Sequence, residues 1–293
     1  MLNEKIINFI STQVNNNTSY IPSKNDLQQR PCAIFEKQNN QWHILYKSSQ
    51  QSGRELYIQQ ILNQTKTDPK KPLLFFLDDY TKDVNNNDKL TLCFAKKQNQ
   101  NFIVIPNLHW FIGHINYCFS QVVKHDVSFE NKKNLTIFAG GPNCDYEGVR
   151  CKYIFSNLDR DKHHIFVCNF DNYRLPIANQ IQYKYQINID GYGLCYDRLY
   201  WQMLSNSVPI YIDKNNNIIQ IPDYFIKENI NYIPATVNTI DDVYSYLNTT
   251  SGQKHCLDII DNNKKFIKDM FTHNPQQFAF DILEYILLLI REK

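Results

Sequence analysis

No stretch of this 293-residue chain stays apolar for the length of a bilayer, and the C-terminal run from Tyr285 to Ile290 is far too short to span one. No secretory signal is visible in the sequence either. Met1 to Val14 looks like an amphipathic helix that carries Glu4 and Lys5 and lacks both a continuous apolar core and a small-residue cleavage site. A cytoplasmic or otherwise soluble location, with no transmembrane segment, is therefore the expectation. Charge of one sign is scarce as well. Lys plus Arg number 31 and Asp plus Glu 29, a net charge of +2, so the basic stripe of a dedicated nucleic-acid binder is absent and no nucleic-acid partner is expected. The eight cysteines are scattered without a CxxC pair, which reads as reduced core thiols. Cys144 and Cys151 would pair only in a secreted protein, and then as a local bridge, not a framework.

What the chain does have is length enough for two domains with real cores. Hydrophobic residues make up 43% and charged residues 20%, the balance of an ordinary soluble enzyme. Aromatics reach 14%, and 19 tyrosines suit a polar, sugar-accepting cleft as well as a core. The asparagine runs at Asn15 to Asn17, Asn85 to Asn87 and Asn215 to Asn217 read as polar loop.

The most informative stretch runs from Tyr183 to Asp213. Tyr183 to Ile189 is an alternating, largely apolar strand. Asp190-Gly191-Tyr192-Gly193 is a turn in which glycine permits positive φ or close approach. Leu194 to Leu204 has helical spacing, Ser205-Asn206-Ser207 ends that helix, and Val208 to Ile212 is a second strand. The resulting βαβ unit sets the glycine turn where free N–H groups and a helix dipole favour a phosphate. Arg198, about one turn into that helix, brings a fork suited to bidentate phosphate contact. The same pattern is also plain α/β scaffold.

Elsewhere, strand and helix patterns alternate. Cys32 to Lys37 and Gln41 to Lys47 read as a hairpin, Arg54 to Asn63 as a helix and Leu73 to Leu77 as a buried strand that delivers Asp78-Asp79-Tyr80 to its end. Leu90 to Ala95 and Phe102 to Pro106 are strands, and His109 to Val123 is one helix carrying Trp110. After a polar link at Asn131 to Lys133 come a strand at Leu135 to Phe138, a helix at Val149 to Asn157 and a strand at His164 to Phe170. Asp159, Arg160, Asp161, His163 and His164 read as a solvated charged loop. Pro222 to Glu228, Thr239 to Leu247, Cys256 to Phe271 and Pro275 to Arg291 read as helices, with Thr239 an N-cap. Such alternation implies a mainly parallel sheet with covered faces.

The wording KYQINIDGYGLCYDRLYWQMLSNSVPIYID resembles the signature of glycosyltransferase family 90, the protein O-glucosyltransferases and the lipopolysaccharide- and capsule-modifying enzymes. Further matches follow in order: Asp79-Tyr80 to the family's (R)DYP, Phe94-Ala95-Lys96 to its FSK, Pro106 to Trp110 to its YP-x-W, Gly140 to its F-R-G-S and Tyr232-Ile233-Pro234 to its H-Y-I-P-V. Together they span roughly residues 30 to 290.

The resemblance implies an α/β, GT-B-like fold, two Rossmann-like domains flanking a cleft. The expected division is an acceptor-side domain over 1–133, a UDP-sugar domain over 134–275, and a helix over 276–293 crossing back to the first. It implies Asp79 as catalytic base, with Tyr80 and Trp110 on the acceptor and sugar side. Gly140, Arg150, Asp190, Gly191, Gly193, Arg198, Ser205 and Ser207 would surround the donor phosphates. The partners implied are a UDP-sugar donor and a protein or glycan acceptor, with no metal or other cofactor. Residue by residue, alternatives stay open: Asp79 is also a turn residue or, with Asp78, a metal ligand, and Ser205 and Ser207 also serve as helix caps. The chain departs from the family in three places. Ala139 replaces an arginine, Cys195 replaces a serine, and Arg198 sits one residue late. Diphosphate recognition would then fall to Arg150, Arg198 and backbone N–H groups, and a binding protein that has lost catalysis becomes the rival reading. A nucleotide-binding regulatory domain of unrelated fold is a third.

Overall fold

A computed structural model describes residues 2–16, 32–48, 53–77, 91–142, 149–168, 174–191, 197–214, 216–271 and 274–293. In chain order its elements begin with α1 (Glu4–Asn15), β1 (Cys32–Gln38), β2 (Gln41–Lys47), α2 (Arg54–Leu62), β3 (Leu73–Phe76), β4 (Thr91–Cys93), β5 (Ala95–Lys97), β6 (Ile103–Val104) and α3 (Leu108–Phe111). They continue with α4 (His114–His125), β7 (Lys133–Gly140), α5 (Val149–Ile154), β8 (His163–Val167), α6 (Ile177–Gln180), β9 (Tyr183–Ile189), α7 (Arg198–Leu204) and β10 (Val208–Ile212). The last are β11 (Ile218–Gln220), β12 (Ile233–Ala235), α8 (Ile240–Leu247), α9 (Thr250–Met270) and α10 (Pro275–Arg291). The protein is mixed α/β with parallel strands, and none of the described helices is long and apolar enough to cross a membrane. The described cysteines are free thiols.

The chain groups into two compact units. One comprises Met1–Gly113, Asn217–Tyr224 and Thr272–Lys293, the other His114–Asn216 and Phe225–Phe271. The sequence places the boundary near Asn131 to Lys133, whereas the second compact unit begins at His114. The expected single helix from His109 to Val123 is two helices, because Gly113 takes φ +76, which ends the first piece in the left-handed region.

In the first unit the sheet order is β2-β1-β3-β4-β6. The hairpin β1-β2 turns through Asn39 and Asn40 at φ 51 and 63, the paired positive angles of a tight hairpin turn that asparagine tolerates. β3, β4 and β6 run parallel. The strand expected at Leu90 to Ala95 breaks at Phe94, and Ala95–Lys97 pairs instead with β11 in a two-stranded ribbon. The final helix packs in this unit. Asn274 caps it by accepting from the Gln277 amide at 2.8 Å, and Pro275 occupies its first turn, where no N–H partner is lost. Its Tyr285 hydroxyl meets Ser11 of α1 at 2.9 Å, and Phe278 packs against Trp110.

The second unit's sheet is entirely parallel, in the order β12-β10-β9-β7-β8. Alternation along β9 assigns its two faces. Tyr185, Ile187 and Ile189 join the large apolar core with Phe138 of β7, Ile210 of β10, and Tyr153, Ile240 and Ile259 from α5, α8 and α9. Gln186 and Asn188 are buried on the opposite face, where the Asn188 amide donates to Gln202 of α7. Trp201 of α7 packs there with Cys118 and Val122 of α4. Helices thus cover both faces of a doubly wound sheet. The chain leaves β7 for β8 on one side and returns to β9 on the other, so the topological switch lies between β7 and β9.

Candidate functional site

Open parallel sheets bind ligands beyond the carboxyl ends of their strands at the switch point, because strand ends diverge there and following helices begin there. In this unit that position is framed by Gly140, the last residue of β7, with Gly141 after it, and by Asp190-Gly191 after β9. Both expected arginines reach it. Arg150, in the first turn of α5, donates through Nη2 to the Ile189 carbonyl at 3.0 Å and through Nε at 3.3 Å. Arg198 opens α7, donates to the Ala139 carbonyl and lies over the Phe138 ring, 5.3 Å from its centroid. Each guanidinium is therefore pinned to the last turn of a neighbouring strand.

Gly140 makes room for that arrangement. A Cβ at this position would stand 2.8 Å from Phe138 Cζ and 3.3 Å from Arg198 Nη2. The glycine of the family-like pattern is explained here by close approach of a side chain. Asp190 is buried, and its carboxylate accepts from the Tyr211 hydroxyl of β10. Arg198 is the first residue of its helix, whereas the spacing set it a turn inside; α7 begins four residues later than the expected Leu194.

Helix direction adds positive potential to the same edge. The end of α4 meets the start of β9, where Gln182 donates to the His125 carbonyl at 3.2 Å, so α4 begins at the carboxyl edge. There His114 Nε2 lies 2.9 Å from Asp197 Oδ2, immediately before Arg198. The hydrogen bond to Asp197 raises the imidazole above its ordinary value, against partial burial and the opposing charge of Arg174. The starts of α4, α5 and α7 and two arginines thus share one edge, an environment that favours an anion. Sequence reasoning missed His114 and Asp197. Their only signal was residue type, since the pairing joins positions far apart in the chain.

No family model matches the chain, and no curated protein does. The site therefore stands on its own geometry.

Other expected residues lie elsewhere. Ser205 and Ser207 are fully buried at the amino edge: Ser205 donates to the Gln202 carbonyl at 2.7 Å, and Ser207 to the Tyr183 carbonyl at 2.8 Å. They end α7 and lock it to the start of β9, on the edge opposite Gly140. Trp110 is fully buried in the first unit beside Phe278 and offers no ring face to a sugar. The reason is its place on α3, a short helix with one side against α10. Asp79, Tyr80 and Gly193, together with Asp78 and Cys195, lie outside the described residues. The charged loop is not solvated throughout. His163 opens β8 and is buried, with Nδ1 2.9 Å from Thr136 Oγ1 and Nε2 2.8 Å from Asp241 Oδ1. Thr239, the expected N-cap, turns its hydroxyl to the Thr236 amide at 2.9 Å and makes no cap bond to α8.

Proposed function

We propose that this protein is an inverting, metal-independent glycosyltransferase of GT-B type, with a UDP-sugar held at the β7–β9 edge of the second unit. The observation that carries the reading is the convergence of Arg150 and Arg198 on that edge beside Gly140 and Gly191. The order of family-90-like motifs along the chain supports the sugar chemistry, with glucose the first donor to test and xylose the next. In this reading Asp79 takes the proton of an acceptor hydroxyl on a protein or glycan. The hydroxyl attacks the anomeric carbon from the face opposite UDP, and the two arginines stabilise the departing diphosphate through preorganised charge. The first unit supplies the acceptor side, and the helix Pro275–Arg291 belongs with it.

A second reading, a sugar-nucleotide-binding protein without catalysis, is favoured by Ala139, which brings no cation to the end of β7. One experiment separates the two. Purified protein is screened with EDTA against UDP-glucose, UDP-xylose, UDP-galactose, UDP-GlcNAc and GDP-mannose for binding and for release of the nucleotide. The transferase releases UDP slowly from one donor and stops doing so as Asp79→Asn. Binding without release, with or without hydroxyl acceptors, supports the second reading, and no binding to any donor removes both.

A further inference from the structure

We propose that His114, oriented by Asp197, donates a hydrogen bond and then a proton to the diphosphate at this edge, supplying the cation that Ala139 does not. The inference rests on the UDP-sugar reading above. Three observations carry it. His114 begins α4 at the carboxyl edge of the sheet, the edge that Arg150 and Arg198 reach. Its partner Asp197 directly precedes Arg198, so the helix start that carries the guanidinium also holds the imidazole, through Asp197. Finally, the pair is neither sealed in the core nor loose on the surface: the side chains are 36% and 27% exposed, open to a ligand yet partly shielded from water.

The chemistry follows from which nitrogen Asp197 holds. With Nε2–H donating to the carboxylate, protonation adds Nδ1–H as a second donor, and the carboxylate stabilises the resulting imidazolium. Cys118, one turn on, has Sγ 3.5 Å from Nε2, and burial pushes its thiol up to about 12, so it stays neutral. Tyr117 has its ring 6.2 Å away, and Arg174 opposes the imidazolium charge. His109, five positions earlier in sequence, is the histidine used as a control. In the transfer, the bond from the anomeric carbon to the β-phosphate oxygen breaks and its electron pair stays on that oxygen. The proton on Nδ1 moves there, the acceptor's proton goes to the base, and His114 is recharged from water.

The alternative is a tie that only fastens α4 to α7. UDP binding by calorimetry on the full chain, from about pH 6 upward to about pH 9, distinguishes them because the imidazole loses its charge as the pH rises through its raised value. The proteins compared are wild type, His114→Gln, Asp197→Asn, His109→Gln and Arg198→Lys. UDP's own phosphate titrates equally in all, so only differences between proteins are read. The expected result is that His114→Gln binds about tenfold more weakly than wild type at the lower pH and equally at the higher one. Asp197→Asn should keep the histidine but move the loss of affinity to lower pH, which also serves if His114→Gln folds poorly. His109→Gln should follow wild type. His114→Gln matching wild type at both pH values, while Arg198→Lys is weakened, overturns the proposal and leaves the UDP reading standing. Wild type that fails to bind UDP overturns both.

Discussion

Arg198 is held by the carbonyl of Ala139, the very position at which the family-like pattern has an arginine of its own. One guanidinium thus fills the space beside Gly140, and its anchor is backbone, so the anchor survives any side chain at 139. Arg150 is fixed in the same manner to Ile189, one strand across.

Replacing either arginine should therefore act on anion affinity before stability. Arg198→Lys keeps the charge but loses the planar fork, and UDP should bind about tenfold more weakly, measured by calorimetry. Arg150→Lys should do the same, and the double variant should show whether the two contacts are independent. Unchanged affinity in both would move the nucleotide away from this edge.

Gly140→Ala tests the crowding directly. The added methyl group would meet Phe138 Cζ at 2.8 Å and Arg198 Nη2 at 3.3 Å, so ring and guanidinium must both shift. Overpacking of this kind costs about 1–3 kcal/mol. Denaturant unfolding should show that loss, and UDP binding should weaken with it. A variant that unfolds earlier but binds normally would show that Arg198 does not touch the ligand.

His163 predicts an acid-sensitive second unit. Burial lowers its pKa below the usual 6.5, with the Asp241 hydrogen bond opposing, and its two ring contacts suit the neutral tautomer that accepts from Thr136 and donates to Asp241. The unfolded chain then takes up a proton that the folded chain refuses. Stability from this group is present above the unfolded value and is lost as pH falls from there through the lowered folded value. Thermal melts should drop over that window in wild type, and the drop should be smaller in His163→Gln. Equal slopes would assign the acid sensitivity to other groups.

Trp110→Ala separates structure from recognition in the first unit. Emptying a fully buried site of this size costs about 3–5 kcal/mol. Chemical denaturation should show the loss, while Trp110→Phe should recover most of it without changing donor affinity. A selective loss of sugar binding in the phenylalanine variant would restore Trp110 to the site.

Local sequence determined much of this protein. The hairpin around Asn39 and Asn40, the β9-α7-β10 unit, and α10 from Pro275 onward were all legible, because alternation and apolar period act within a few positions. The breaks at Phe94 and Gly113 were less so. A strand and a helix each continue past them by pattern, and only pairing with β11 and the φ of Gly113 stop them. Contacts across the chain were not legible at all. Sequence order could not say that Ser205 and Ser207 lie on the edge opposite Gly140, that Trp110 faces α10, or that His114 meets Asp197 and His163 meets Asp241. Those depend on the direction of each helix relative to the strands and on which strands are neighbours. The sequence set the residue types for an anion site; strand order and helix direction decided which of them share an edge.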